Sequence, residues 1–102
     1  MSAFIVSRVT VHNQELMGSY IEGSVALARS FGARYRARTD QITVADGAFG
    51  GGRVVIIEFP SLSALQSFWN SAEYQELRKV RLRAAEGDVW ILQAEEETAA
   101  NV

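Results

Sequence analysis

A chain of 102 residues with 10 basic and 12 acidic side chains, a net charge of −2 and a pI near 5.3 has no general attraction for polyphosphate. It has no cysteine, so disulfide frameworks and thiolate metal sites are excluded, and 48% apolar content excludes a disordered tether over most of its length. The length is that of one domain, which alone buries only about two thirds of its unfolded surface and so has use for an oligomeric interface.

Residues 3 to 11 predict a strand: Phe4 and Val6 alternate with Ile5, Val9 and Val11, so both faces carry apolar groups. The apolar run entered after Met1 ends at Ser7 and Arg8, too soon for a signal peptide, and no stretch approaches a membrane span. A cytoplasmic protein is expected. Asn13 is a good N-cap for a helix in which Leu16, Met17, Tyr20, Ile21, Val25 and Ala28 recur at helical spacing. Gly23 weakens its middle, and Gly32 is the expected stop.

Residues 33 to 38 predict a second strand, with Tyr35 and Ala37 on one face and Arg34, Arg36 and Arg38 on the other. After a turn near Thr39 to Gln41, Ile42 and Val44 are expected to continue the pairing, before Asp46-Gly47 and Gly50-Gly51-Gly52 make a flexible connection. Arg53 to Phe59, with the β-branched run Val54 to Ile57, predicts a central strand buried on both sides.

Pro60 and Ser61 then open a helix whose Leu62, Leu65, Phe68 and Trp69 share a face. Asn70-Ser71 predicts a break, after which Tyr74, Leu77, Val80, Arg81 and Ala84 resume helical spacing. Glu86-Gly87-Asp88 is the expected stop, and Val89 to Ala94 the last strand. Residues 1 to 94 would form the domain and 95 to 102 an acidic flexible tail.

The order βαββαβ is the ferredoxin-like plan, an α+β fold with a four-stranded antiparallel sheet and its helices on one face. The other face then lacks a cover from its own chain. Phe4 and Ile5, Val55 and Ile56, and Trp90 and Ile91 are neighbours that must point to opposite faces, so apolar side chains reach the open face in either register. Burial is worth about 25 cal/mol per Å². A second copy of the chain is the simplest cover.

At these residues a family resemblance enters. Arg53 to Ser61, followed by Trp69-Asn70-Ser71-Ala72-Glu73-Tyr74-Gln75, is similar to the core motif of domain-of-unknown-function family 1330. Phe31 to Arg38 also resembles it, as does Arg81 with Ala84 to Asp88. The resemblance implies a dimeric α/β barrel, in which two ferredoxin-like sheets face each other, and it implies no established reaction. The chain departs from the pattern at Ala72, where the family has proline, at Thr39 and Asp40, where it often has glycines, and at Asn13-Gln14, in place of an acidic-proline start.

Chemistry is sought first in the basic groups, nearly all arginine, which suit planar bidentate partners such as carboxylates or else salt bridges within or between subunits. Glu58 ends the most apolar strand and must be paired or raised in pKa. It reads as a general base or polar anchor with Arg38 or Arg81 as partner, or as a structural ion pair between strand and helix. His12, the only histidine, reads as an exposed loop residue or a proton-transfer group.

Tyr20, Trp69 and Tyr74 read as core, as interface, or as the lining of a ligand cavity. Arg78 and Arg81 share a helix face; toward a cavity they would receive a carboxylate. The glycines at 47 and 50 to 52 do not form a phosphate loop, because no Gly-Lys-Ser/Thr ending follows and they lead into a strand.

The combined expectation is a homodimer that binds a small organic molecule, anionic or aromatic, through Arg38, Glu58, Trp69, Tyr74 and Arg81. The alternative is a cofactor-independent enzyme, monooxygenase- or isomerase-like, with Glu58 or His12 as candidate catalytic residues. No metal, cofactor, nucleic-acid or membrane partner is expected. An RNA binder of this fold should show exposed aromatics in a basic strand motif, and here the third strand is aliphatic.

Overall fold

Strand β1 (Ala3–Val11) lies inside the sheet of the computed structural model, which describes residues 1–95. It pairs antiparallel with β3 (Arg53–Phe59) on one side and β4 (Ala85–Gln93) on the other. Strand β2 (Arg34–Thr39) pairs with β3 at the outer edge, which makes the order β2-β3-β1-β4. That is the ferredoxin-like α+β sheet, with the apolar strand Arg53 to Phe59 in an inner position.

Helix α1 (Gln14–Ser30) starts where the Asn13 side chain accepts the Leu16 N–H at 3.0 Å. It stops at Gly32, whose φ of +86° is open to glycine, and whose N–H donates to the Arg29 carbonyl while Ala33 N–H donates to that of Ala28. The second helical region divides as its sequence suggests. Ser61 caps α2 (Leu62–Trp69), and Ser71 caps α3 (Ala72–Ala84) by accepting the Tyr74 N–H. Gly23 faces α3 at a close approach: a Cβ there would stand 2.7 Å from a methyl of Leu77.

All three helices pack on one face of the sheet. Ala3 and Ile5 of β1, with Ile57 and Phe59 of β3, join Ala28, Leu65, Phe68 and Tyr74 in a single buried cluster. The alternate residues face the other way, where Phe4 opposes Leu92, and Val6 opposes Trp90 and Ile56. On that open face Trp90 and Leu92 are 47% and 49% exposed. No helix among the described residues is long and apolar enough to cross a membrane.

Three sequence expectations are corrected. Ile42 and Val44 belong to no strand: the Thr39 hydroxyl accepts the Gln41 N–H, and the chain leaves the sheet there. Glu86-Gly87-Asp88 does not separate helix from strand, because β4 begins at Ala85 and these residues pair with Thr10, Val9 and Arg8. Gly87 is instead a strand glycine, since a Cβ at its φ of +156° would run into the Arg8 carbonyl. The helix ends because Ala84 turns its carbonyl to the His12 and Asn13 N–H groups, at 2.9 and 3.1 Å.

The third correction concerns β2, where a bulge between Tyr35 and Ala37 shifts the register. Ala37 opposes Ile56 on the open face, and Arg38 opposes Val55 on the helix face. Tyr35 and Arg38 therefore share a face, which strict alternation forbids. The expected acidic tail, residues 95 to 102, lies outside the described residues except for Glu95.

Candidate functional site

Helices and sheet do not close completely on each other. Between them lies a cavity of about 820 Å³, within the size range of small-molecule sites. Its floor is Ile5, Ser7 and Val9 of β1 with Val55 and Ile57 of β3, the inward residues of two adjacent strands. Helix α1 contributes Met17, Tyr20, Ile21, Ser24 and Val25, its sheet-facing stripe. Phe68, Tyr74 and Arg81 enter from α2 and α3, while Tyr35, Arg38 and Asp40 stand at the β2 side with Arg53.

The polar groups inside are organised. The Tyr20 and Tyr74 hydroxyls bond each other at 2.9 Å across the helix pair. The Tyr74 ring is held by Phe68 and Trp69, with centroids 4.5 and 5.0 Å away. Burial pushes the Tyr20 phenol well above the usual tyrosine value, and the neighbouring Tyr74 adds to it, so Tyr20 stays protonated. Burial also raises Tyr35, opposed by the Arg38 guanidinium, which stands over its ring at 4.8 Å.

Arg81 is the unusual member. Only 8% of it is exposed, its guanidinium lies 5.9 Å from the centre of the Tyr20 ring, and its Nε has no hydrogen-bond partner among the described residues. The ion pairs among the described residues are Arg8–Asp88, Arg36–Glu58 and Lys79–Glu76, and Arg81 is in none. Its neighbour Arg78 is half-buried and does not line the cavity.

Of the residues singled out from the sequence, the cavity brings together Arg38, Tyr74 and Arg81, with Tyr20. Trp69 is half-buried behind Tyr74 and does not line it. Glu58 lies on the open face of the sheet, paired neither with Arg38 nor with Arg81. It accepts from Arg36 Nε at 2.7 Å and from the Ser2 hydroxyl. The hydroxyl and the guanidinium together hold its carboxyl below the ordinary glutamate value. The ion pair joins two strands rather than strand and helix. His12 is exposed and is not part of the lining.

Sequence reasoning missed Tyr35, Ser24 and Asp40. Ser24 had a signal: it is a serine on the Met17, Tyr20, Ala28 stripe, a polar group at an apolar period. Tyr35 had none, because the face it shares with Arg38 depends on the bulge. No group of three or more His, Cys, Asp or Glu among the described residues could hold a metal ion.

Comparison with known proteins places this geometry. Residues 2–94 match the model of a family described as a domain of unknown function, DUF1330. No curated protein matches the chain. Among solved structures, RPA0582, described as a protein of unknown function from Rhodopseudomonas palustris, has a TM-score of 0.72 at 17% identity, over 94% of this chain and 84% of that one. SnoaB of Streptomyces nogalater, described as a cofactor-independent oxygenase, has a TM-score of 0.62 at 14% identity over 98% of each chain. A protein from Bacteroides fragilis, described as dimeric, of unknown function and of ferredoxin-like fold, has a TM-score of 0.56 at 13% identity, over 91% of this chain and 96% of that one. At these identities the likeness establishes the fold alone.

Proposed function

The chain belongs to the DUF1330 family, and from that premise and its cavity we propose a homodimeric binding protein for a small organic molecule, anionic or aromatic. The observation that carries the reading is the 820 Å³ space walled by aliphatic and aromatic side chains, into which Arg38, Tyr74 and Arg81 converge. Few polar groups on an apolar wall fix a ligand's orientation, while the wall supplies affinity. The ligand side of the sheet is the helix side. The opposite side is left for a second copy, a role supported by its apolar residues and by the Bacteroides fragilis structure being described as dimeric.

A panel of small carboxylic acids and phenols, screened by thermal shift, tests the binding role. A ligand at about 100 times its Kd stabilises by about 2.7 kcal/mol, and some compounds should therefore raise the Tm by several degrees. Arg38→Ala should shrink that rise, and Glu58→Gln, outside the cavity, should not. A wild-type protein that no compound stabilises would end the reading.

A second reading, a cofactor-independent enzyme of monooxygenase or isomerase type, is favoured by the likeness to SnoaB. It requires a proton acceptor beside the substrate. Asp40 is the carboxylate that lines the cavity, whereas Glu58 and His12 stand away from it. Under this reading Asp40→Asn loses turnover and keeps binding.

A further inference from the structure

Arg81 presents a charge that meets no counter-ion among the described residues. A guanidinium is a permanent cation with donors only, and a buried cation is stable when a negative group meets it. Arg8 and Arg36 follow this rule, reaching Asp88 at 3.0 Å and Glu58 at 2.7 Å at positions more open to water. Arg78, half-buried and outside the cavity lining, shares with Arg81 a buried Nε that has no partner among the described residues. Arg81, more than nine-tenths buried, lines the cavity, and no carboxylate among the described residues pairs with it.

The titratable and charged groups around that cavity are Tyr20 from α1, Tyr74 from α3, Tyr35 and Arg38 from β2, Asp40 after it, and Arg53 from β3. Strands β1 and β4 add no ionisable side chain to the lining. Three arginines thus face one aspartate, an excess of positive charge inside an acidic protein. The Tyr20–Tyr74 pair has the same polarity: one hydroxyl donates to the other, and the acceptor keeps a proton to give. The remaining lining is aliphatic and aromatic. The complementary molecule is apolar over most of its surface, with an aromatic ring to pack against Tyr35, Phe68 and Tyr74, and negative at one acceptor oxygen.

We propose that the cavity binds an aromatic oxyanion, a phenolate or an aryl carboxylate, whose charged oxygen pairs with Arg81 beside the Tyr20–Tyr74 hydroxyls. This rests on the cavity being a ligand site and adds the ligand's ionisation state and the residue that holds it. A site of this kind prefers the conjugate base, so it strengthens the acidity of what it binds.

The probe is 4-nitrophenol, whose phenolate absorbs visibly, titrated with and without the full chain across the pH range of its ionisation. Bound probe should ionise at a proton concentration about tenfold higher or more, the effect of one close opposite charge. 4-Nitrobenzoate should displace it if aryl carboxylates share the site, whereas nitrobenzene, uncharged, should not. Which acid binds more tightly distinguishes the two sources of the oxyanion. Arg81→Gln should lose the ionisation shift, and Arg81→Lys should retain much of it by keeping the charge. Near-ultraviolet circular dichroism checks that each variant is folded.

Wild-type affinity that falls as pH rises would show the neutral phenol preferred, and this overturns the assignment without any variant. So would a folded Arg81→Gln protein with an undiminished shift. Either result leaves the cavity standing as a ligand site. Failure of the wild type to bind either probe or any compound of the wider panel removes the ligand site, and this inference with it.

Discussion

Glu58 shows what a carboxylate does when it has partners on the surface of a sheet. With the Ser2 hydroxyl and the Arg36 guanidinium beside it, it favours its charged form when folded. Its folded pKa is therefore lower than its unfolded one, and the linked stability is present above the ordinary glutamate value. That contribution is lost as pH falls through the lowered folded value. Glu58→Gln should lower the Tm at neutral pH by about 2 °C or less, as befits a partly exposed pair, and the difference should vanish in acid. A Glu58→Gln deficit that grew as pH fell would contradict this sign. Arg81 is the opposite case, a buried charge whose partner the described chain does not supply.

At the scale of elements, glycines and serines do most of the positioning. Ser61 and Ser71 start two separate helices, and the break between them places Phe68 and Tyr74 together on the cavity wall. Gly87 allows β4 to lie against β1 directly after α3. Gly87→Ala should destabilise by about 1–3 kcal/mol, a fall of roughly 4 °C or more in Tm, because its Cβ would meet the Arg8 backbone. An unchanged melting curve would mean that β4 does not pair in this register. The bulge in β2 has the largest consequence for the site. It turns Arg38 from the open face to the face of Tyr35, where it helps line the cavity.

As a whole, the molecule has two unlike faces on one sheet. Helices and cavity occupy one, and Phe4, Val6, Ile56, Trp90 and Leu92 lie on the other. Apolar groups left this exposed on a small domain are the basis of the proposed interface. The proposed homodimer should give twice the chain mass by light scattering at low micromolar concentration. Trp90→Arg, a change at a half-exposed edge position, should return the mass of one chain without loss of secondary structure. A wild-type monomer at that concentration would leave the open face without its proposed cover.

Much of this was legible along the chain because it depends on local spacing. Alternation in β1 and the β-branched run of β3 fix strands, helical spacing and the Asn13, Ser61 and Ser71 caps fix helices, and the order of the elements limits the sheet to one familiar plan. Tyr74 and Arg81 fall seven residues apart on one helix, so their joint approach to the cavity was also readable. Only the tertiary structure decided which arginine meets Glu58, that Glu58 faces away from the cavity, and that Arg38 faces into it. Those outcomes turn on a one-residue bulge and on pairing between strands far apart in sequence. A shift of one position in a strand moves a side chain through the sheet, and no local pattern in the chain records it.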